Sequence, residues 1–143
     1  MAEWRGREFW KLVGSGNDFV FFDARRRPAG ALATPGMIQA LCARAIGVGA
    51  DGVVFLEPPG SPDAALRMAY FNADGSRAAM CGNAALCTTR LAVELGAAPA
   101  VGFAFDTDAG LVHARLRNDE PEIDLTPVRE LAGHTANVRS LAL

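Results

Sequence analysis

Cys81 is the residue around which chemistry can be argued. It follows the turn-forming run Asn72-Ala73-Asp74-Gly75-Ser76 and immediately precedes an apolar-periodic segment that reads as a helix. A cysteine at a helix start meets unpaired backbone N–H groups and the positive end of the helix dipole, and both favour its thiolate. The competing reading is that lone cysteines are usually core packing. Cys42 fits that second reading, because it falls on an apolar stripe with Met37, Ile38, Leu41 and Ala45. Cys87 lies about 240° further round a 3.6-residue helix than Cys81. It therefore reads as packing, and a redox pair Cys81/Cys87 is disfavoured because a disulfide needs close Cα atoms.

A thiolate beside an anion-binding helix start can work as a nucleophile or as a base. Hydrolase-type nucleophiles want a histidine partner. Only His113 and His134 are available, the first in a strand pattern and the second in a weakly patterned tail. Base chemistry is the better reading. Two other loops carry the same uncharged polar and glycine character: Gly16-Asn17-Asp18-Phe19 and Gly49-Ala50-Asp51-Gly52. With the segment from Asn72 to Asn83 they form the wall of a small polar pocket for carboxylate and ammonium groups. The amides of Gly82 and Asn83 are placed to take a carboxylate. No metal site is expected, since neither histidine has ligands at metal spacing. Gly14-Ser15-Gly16 lacks the third glycine and the following helix of a dinucleotide fingerprint.

The elements that must hold these loops are short. Strands are expected over Glu8–Val13, Phe19–Asp23, Val53–Leu56 and Leu66–Phe71, with the first two forming a hairpin or a tight crossover. Thr34 as an N-cap hydroxyl and Pro35 at the first helical position open one helix. A second runs from Gly82 to Leu95, with Gly96 closing it. Three short strands follow at 101–107, 110–116 and 121–125. The fold class is α+β.

The bulk numbers limit the function. The 143 residues carry a net charge of −2 and no dominant basic face, which argues against nucleic acid. Three cysteines make no disulfide framework and suit a reducing compartment. The N-terminus lacks a signal-peptide core and no apolar run could cross a bilayer, so a cytoplasmic protein without membrane partners is expected.

Four segments, in order, carry a family resemblance: Lys11–Phe19 (KLVGSGNDF), Gly47–Gly52 (GVGADG), Phe71–Ser76 (FNADGS) and Met80–Asn83 (MCGN). Together they resemble the N-terminal half of the diaminopimelate epimerases. The Cys-Gly element alone would also suit proline racemases and phenazine-type isomerases. The resemblance implies a strongly curved mixed sheet wrapped around a central helix, here the one that Cys81 opens. It implies cofactor-independent epimerisation of LL-diaminopimelate to the meso form, with no pyridoxal phosphate. Cys81 would be one of two cysteines facing opposite sides of the substrate α-carbon. Gly82 and Asn83 would hold the α-carboxylate, and Asn17 and Asn72 would orient the substrate. Leu86 stands where the family has arginine. The resemblance places the N-terminal domain at 1–119 and the opening of a second domain at 120–143. The second base, in that other half, and the first domain's last strand are expected to be missing from this chain. The chain alone is then expected to be inactive, and a homodimer through exposed strand edges is plausible. A non-catalytic amino-acid-binding or regulatory module is the alternative.

Overall fold

The computed structural model describes residues 5–125. The elements are β1 (Trp10–Gly14), β2 (Asn17–Asp23), a 3-10 turn (Gly30–Ala33), α1 (Pro35–Cys42), β3 (Gly52–Glu57), β4 (Arg67–Asn72), β5 (Arg77–Ala78), α2 (Gly82–Glu94), β6 (Phe103–Thr107), β7 (Gly110–Arg117) and β8 (Glu120–Ile123). All strands join one mixed sheet in the order β1-β2-β3-β4-β6-β7-β8. The second edge of β4 is shared: Arg67 pairs with β6, while Tyr70 and Phe71 pair with β5. β2/β3 and β4/β6 run parallel and the other pairs antiparallel.

The apolar runs of β2, β3 and β4 alternate between two covered faces, which is why they read as continuous rather than patterned. Phe19, Phe21, Val54, Leu56, Met68 and Tyr70 join Ala84, Ala85, Leu91 and Ala92 of α2 in one core. Val20, Phe22, Val53, Phe55, Ala69 and Phe71 join Leu32, Ile38 and Cys42 beneath α1 in the other. Phe22 and Phe55 stack at 5.6 Å and Phe71 meets Phe55 edge-on at 5.8 Å, contacts worth about 0.5–1.5 kcal/mol each beyond their burial. α2 touches β1 and β2 at one end of the sheet and β7 and β8 at the other. The sheet is therefore curled around α2, as expected from the family resemblance. The alanines at 84, 85 and 92 are fully buried and let the strands come close.

Local chemistry explains the joints. β1 and β2 form a hairpin whose two turn residues, Ser15 (φ 50°) and Gly16 (φ 88°), are both left-handed, the geometry that matches strand twist. α1 ends at Cys42, short of the Ala45 that its apolar stripe suggested. The chain folds back so that the amides of Gly49 and Ala50 bond the carbonyls of Leu41 and Cys42. Gly47 is needed there, since a Cβ would lie 2.0 Å from the Ala40 carbonyl oxygen. Thr34 does not cap α1 through its side chain; its hydroxyl donates instead to the Ala31 carbonyl at 2.9 Å. α2 ends as expected, with Gly96 at φ 68°. β8 extends the sheet past residue 119, pairing with β7. Among the described residues no helix is long and apolar enough to cross a membrane.

Candidate active site

Topology gathers the three polar loops at one end of the sheet. β2 and β3 are parallel, so their starts at Asn17 and Gly52 lie together. β4 is antiparallel to β3, so its end at Asn72 pairs with Gly52. Asn72 is the last strand residue rather than the first beyond the strand. β5, which the sequence did not suggest, turns the chain from there back toward α2. Its cause is the turn itself: the Asn72 amide bonds the Ser76 carbonyl at 2.8 Å, and Asp74 accepts from the Ser76 amide and hydroxyl.

Cys81 is the N-cap of α2, with extended φ −141° and ψ 119°, and it makes no side-chain capping bond. Its carbonyl accepts the first helical bond, from Ala85. The amides of the first turn have no intrahelical acceptor, and that turn contains no acidic residue. A Cβ on Gly82 would meet nothing within 4 Å, so that side of the helix start is unfilled. The helix dipole makes such an uncapped start electropositive.

A chain of amides reaches this start. The Asn83 side-chain nitrogen donates to Asn17 Oδ1 at 2.5 Å, and Asn17 Nδ2 donates to Asp51 Oδ2 at 3.1 Å. A carboxylate only accepts, so Asp51 fixes which way the Asn17 amide faces, and Asn17 in turn fixes Asn83. Asp51 is itself tied down by the Asp18 amide, while its own amide donates to Asp18. Arg44 bridges both acids and Lys11 reaches Asp18 at 3.2 Å. The Arg44 guanidinium, then Lys11, hold the Asp18 carboxyl far below the usual carboxylate range against the opposing effect of burial. Asn17 and Asn83 are therefore brought together with Cys81 and Gly82. Asn72 stands at the same end but bonds within its own turn, Nδ2 to Ser76 Oγ at 3.1 Å.

All three cysteines are free, and they differ. Cys42 is buried beneath α1, where desolvation first and Asp18 second push its thiol up. Cys87 is 5% exposed, and burial followed by the charge of Cys81 pushes it up to about 11. Only Cys81 is partly open to solvent. Both buried thiols are packing residues, as expected. His113 is exposed on β7, and His134 lies outside the described residues. Leu86, Cys87 and Arg90 line a cavity of about 330 Å³ with Gly14 of β1 and Pro121 of β8. Leu86 thus belongs to the opening between the two sheet ends. Asp51 and Arg44 were not anticipated as site supports, although Asp51 sits inside the Gly-Ala-Asp-Gly loop that drew attention.

Residues 9–131 match the family model described as diaminopimelate epimerase. The chain is 44% identical over 123 residues to a diaminopimelate epimerase of Gemmatimonas aurantiaca, covering 86% of this chain and 44% of that protein. It is 38% identical over 130 residues to one of Aquifex aeolicus, covering 84% and 46%. The chain spans less than half the length of these relatives. Among solved structures, a hydroxyproline epimerase from Agrobacterium vitis with bound trans-4-hydroxy-L-proline shares the fold, with a TM-score of 0.63 at 16% identity over 87% of this chain and 43% of that one.

Proposed function

The chain belongs to the diaminopimelate epimerase family, and from that premise we propose that it contributes one of two bases to the cofactor-independent epimerisation of LL-diaminopimelate to meso-diaminopimelate. The observation that carries this is the open start of α2, with Cys81 as its N-cap and free amides behind it. A substrate α-carboxylate bound by the amides of Gly82 and Asn83 would bring the α-carbon beside the Cys81 sulfur. The thiolate takes the α-proton on one face, or the thiol returns a proton to that face in the reverse direction. The same amides oppose the negative charge that grows on the carboxylate as the proton leaves. Asn17 and Asn72 orient the remaining substrate groups, and Asp51 holds Asn17 in register.

The opposite face needs a second base. Cys42 and Cys87 are buried with raised thiols and are unsuited to it. The second base, in this proposal, comes from a C-terminal half of the enzyme. Residues 1–119 are then the N-terminal domain and 120–143 lead toward the other, with β8 tying the junction to the first sheet. The enzyme is cytoplasmic and takes a small amino-acid substrate, and a homodimer is compatible with its exposed strand edge.

The test is made in the full-length enzyme. Cys81→Ser lowers epimerisation by about 10³-fold, the scale of a lost general base. Undiminished solvent-deuterium incorporation from both stereoisomers in that variant would remove Cys81 from the base role. The second reading, a binding module, is favoured by Leu86 in place of the family arginine. It predicts saturable calorimetric binding of diaminopimelate to the chain without any α-hydrogen exchange in the full-length protein.

A further inference from the structure

β1 approaches α2 unevenly along its length. Its residues alternate, so Trp10, Leu12 and Gly14 turn inward while Lys11 and Val13 are exposed. Trp10 and Leu12 pack against the core beneath α2 and keep the strand a side chain's thickness away. At Gly14 that spacer is gone. A Cβ there would lie 2.9 Å from the Asn83 carbonyl oxygen and 2.9 Å from Cys87 Sγ, so the strand backbone rests directly on the helix. Asn83 and Cys87 are four residues apart and share one face of α2. The hairpin turn does not itself call for glycine at position 14: its left-handed residues are Ser15 and Gly16. The register gives the close approach its meaning. Gly14 pairs with Asn17, so the Asn17 side chain rises on the same face of the sheet, beside the gap that Gly14 leaves. From there its Oδ1 accepts the Asn83 side-chain amide at 2.5 Å.

We propose that Gly14 is a positioning residue for the site: its missing side chain lets β1 close onto the first turn of α2, and that closure brings Asn17 within hydrogen-bonding reach of Asn83. A side chain at 14 needs ordinary van der Waals separation, 3.4 Å or more, from the Asn83 oxygen. Cys87 Sγ ends a side chain that can rotate away. The Asn83 oxygen belongs to the helix backbone and cannot, so β1 has to retreat. The retreat passes to Asn17 through the Gly14–Asn17 pair. A hydrogen bond is steeply dependent on distance, and the Asn83 contact is the one that opens. Asn17 is thus held from two directions. Asp51 fixes it from the loop before β3, at 3.1 Å, and Gly14 governs whether Asn83 fixes it from α2.

The functional part of this inference rests on the reading of Asn17 as a substrate-orienting residue, but its first test needs no turnover. In isotopically labelled chain, NMR detects the scalar coupling that an N–H···O=C hydrogen bond transmits, here between Asn83 Nδ2 and Asn17 Cγ. The unaltered chain and Cys87→Ala should both show it. Gly14→Ala should lose it while the couplings across the β1–β2 ladder persist. The strike on the sulfur threatens the folding of Gly14→Ala, so its combination with Cys87→Ala is measured beside it. Only the Asn83 oxygen then opposes the added Cβ, and the coupling should again be absent. A folded Gly14→Ala protein that keeps the coupling, alone or in that combination, would overturn the proposal. Loss of the coupling in Cys87→Ala alone would do the same, by giving the sulfur the role assigned to the gap. In the full-length enzyme, Gly14→Ala should raise KM about fivefold with a smaller change in kcat, the scale of one hydrogen bond. A merely structural defect lowers kcat through the fraction of folded enzyme and leaves KM unchanged, and that result would remove Gly14 from the positioning role. If Cys81→Ser leaves proton exchange intact, the epimerase reading falls while the coupling result stands.

Discussion

The two helices begin in the same way, yet their first residues offer different groups. Each N-cap is extended, Thr34 at ψ 146° and Cys81 at ψ 119°, and neither makes a side-chain cap or has an acid in its first turn. At α1 the first helical residue is Pro35, which has no N–H to offer. Gly75 then packs onto it so tightly that a Cβ would lie 2.8 Å from the proline Cα. At α2 the first residue is Gly82, which keeps its N–H, and a Cβ there would meet nothing within 4 Å. A helix start is thus not a site by virtue of its dipole. It needs amides that can still donate, and α1 gives its first position to proline. α1 also serves α2: its Gln39 donates to the Asp74 carbonyl at 2.7 Å, in the turn between Asn72 and Cys81.

Substitutions can erase that contrast or deepen it. The largest effect on stability is expected from Gly75→Ala, which forces a side chain onto Pro35 at a backbone φ of +88°. Overpacking and the left-handed backbone together cost about 2–4 kcal/mol, read as a lower denaturant midpoint at unchanged slope. Gly82→Pro makes the second start resemble the first. Proline is tolerated at that position, so the melting temperature should hold while affinity for the substrate carboxylate falls about tenfold in the full-length enzyme. Retained affinity would show that the Gly82 amide is not a ligand. Asp51→Asn can present its amide either way round and so frees Asn17 to flip. A rise in KM of about fivefold, with a smaller change in kcat, is expected from one misdirected hydrogen bond.

The smallest effect concerns Asp18, the anchor of the loop after α1. Its folded carboxyl titrates below its unfolded value. The stability it contributes is therefore present above an unfolded pKa of about 3.9 and is lost as pH falls through and below that value. Thermal melting from pH 6 down to 2 should show a decline that Asp18→Asn flattens. Because Arg44 is well exposed, added salt should shrink the difference. An equal acid decline in both proteins would assign the acid sensitivity to other carboxylates.

Much of this arrangement could be read from residue order. β2 and β3 were legible because buried strands need unbroken apolar runs, and α2 because its apolar positions repeat and Gly96 closes it. Cys81 and Asn83 were legible as a pair of neighbours at a helix start. Distant contacts were not. Nothing local in Arg77-Ala78 says strand; those residues pair only because the turn from Asn72 to Ser76 returns them to β4. Thr34 has the chemistry of a cap, yet the preceding 3-10 turn offers the Ala31 carbonyl and its hydroxyl goes there. Asp51 acquires its relation to the site from Asn17, which lies 34 positions away in sequence.

The curling of the sheet around α2 also has a consequence for how the chain is made. Synthesis runs from the N-terminus at about 5–20 residues per second. The strands up to β4 can pair before residues 82–94 have left the ribosome, but until then Phe19, Phe21, Met68 and Tyr70 have no cover. The nascent protein passes through an interval with a greasy concave face turned to solvent, and α2 is the segment that ends it. Slowing translation just before Gly82 should lengthen that interval and raise the demand for chaperones, whereas a pause after Gly96 should leave folding yield untouched.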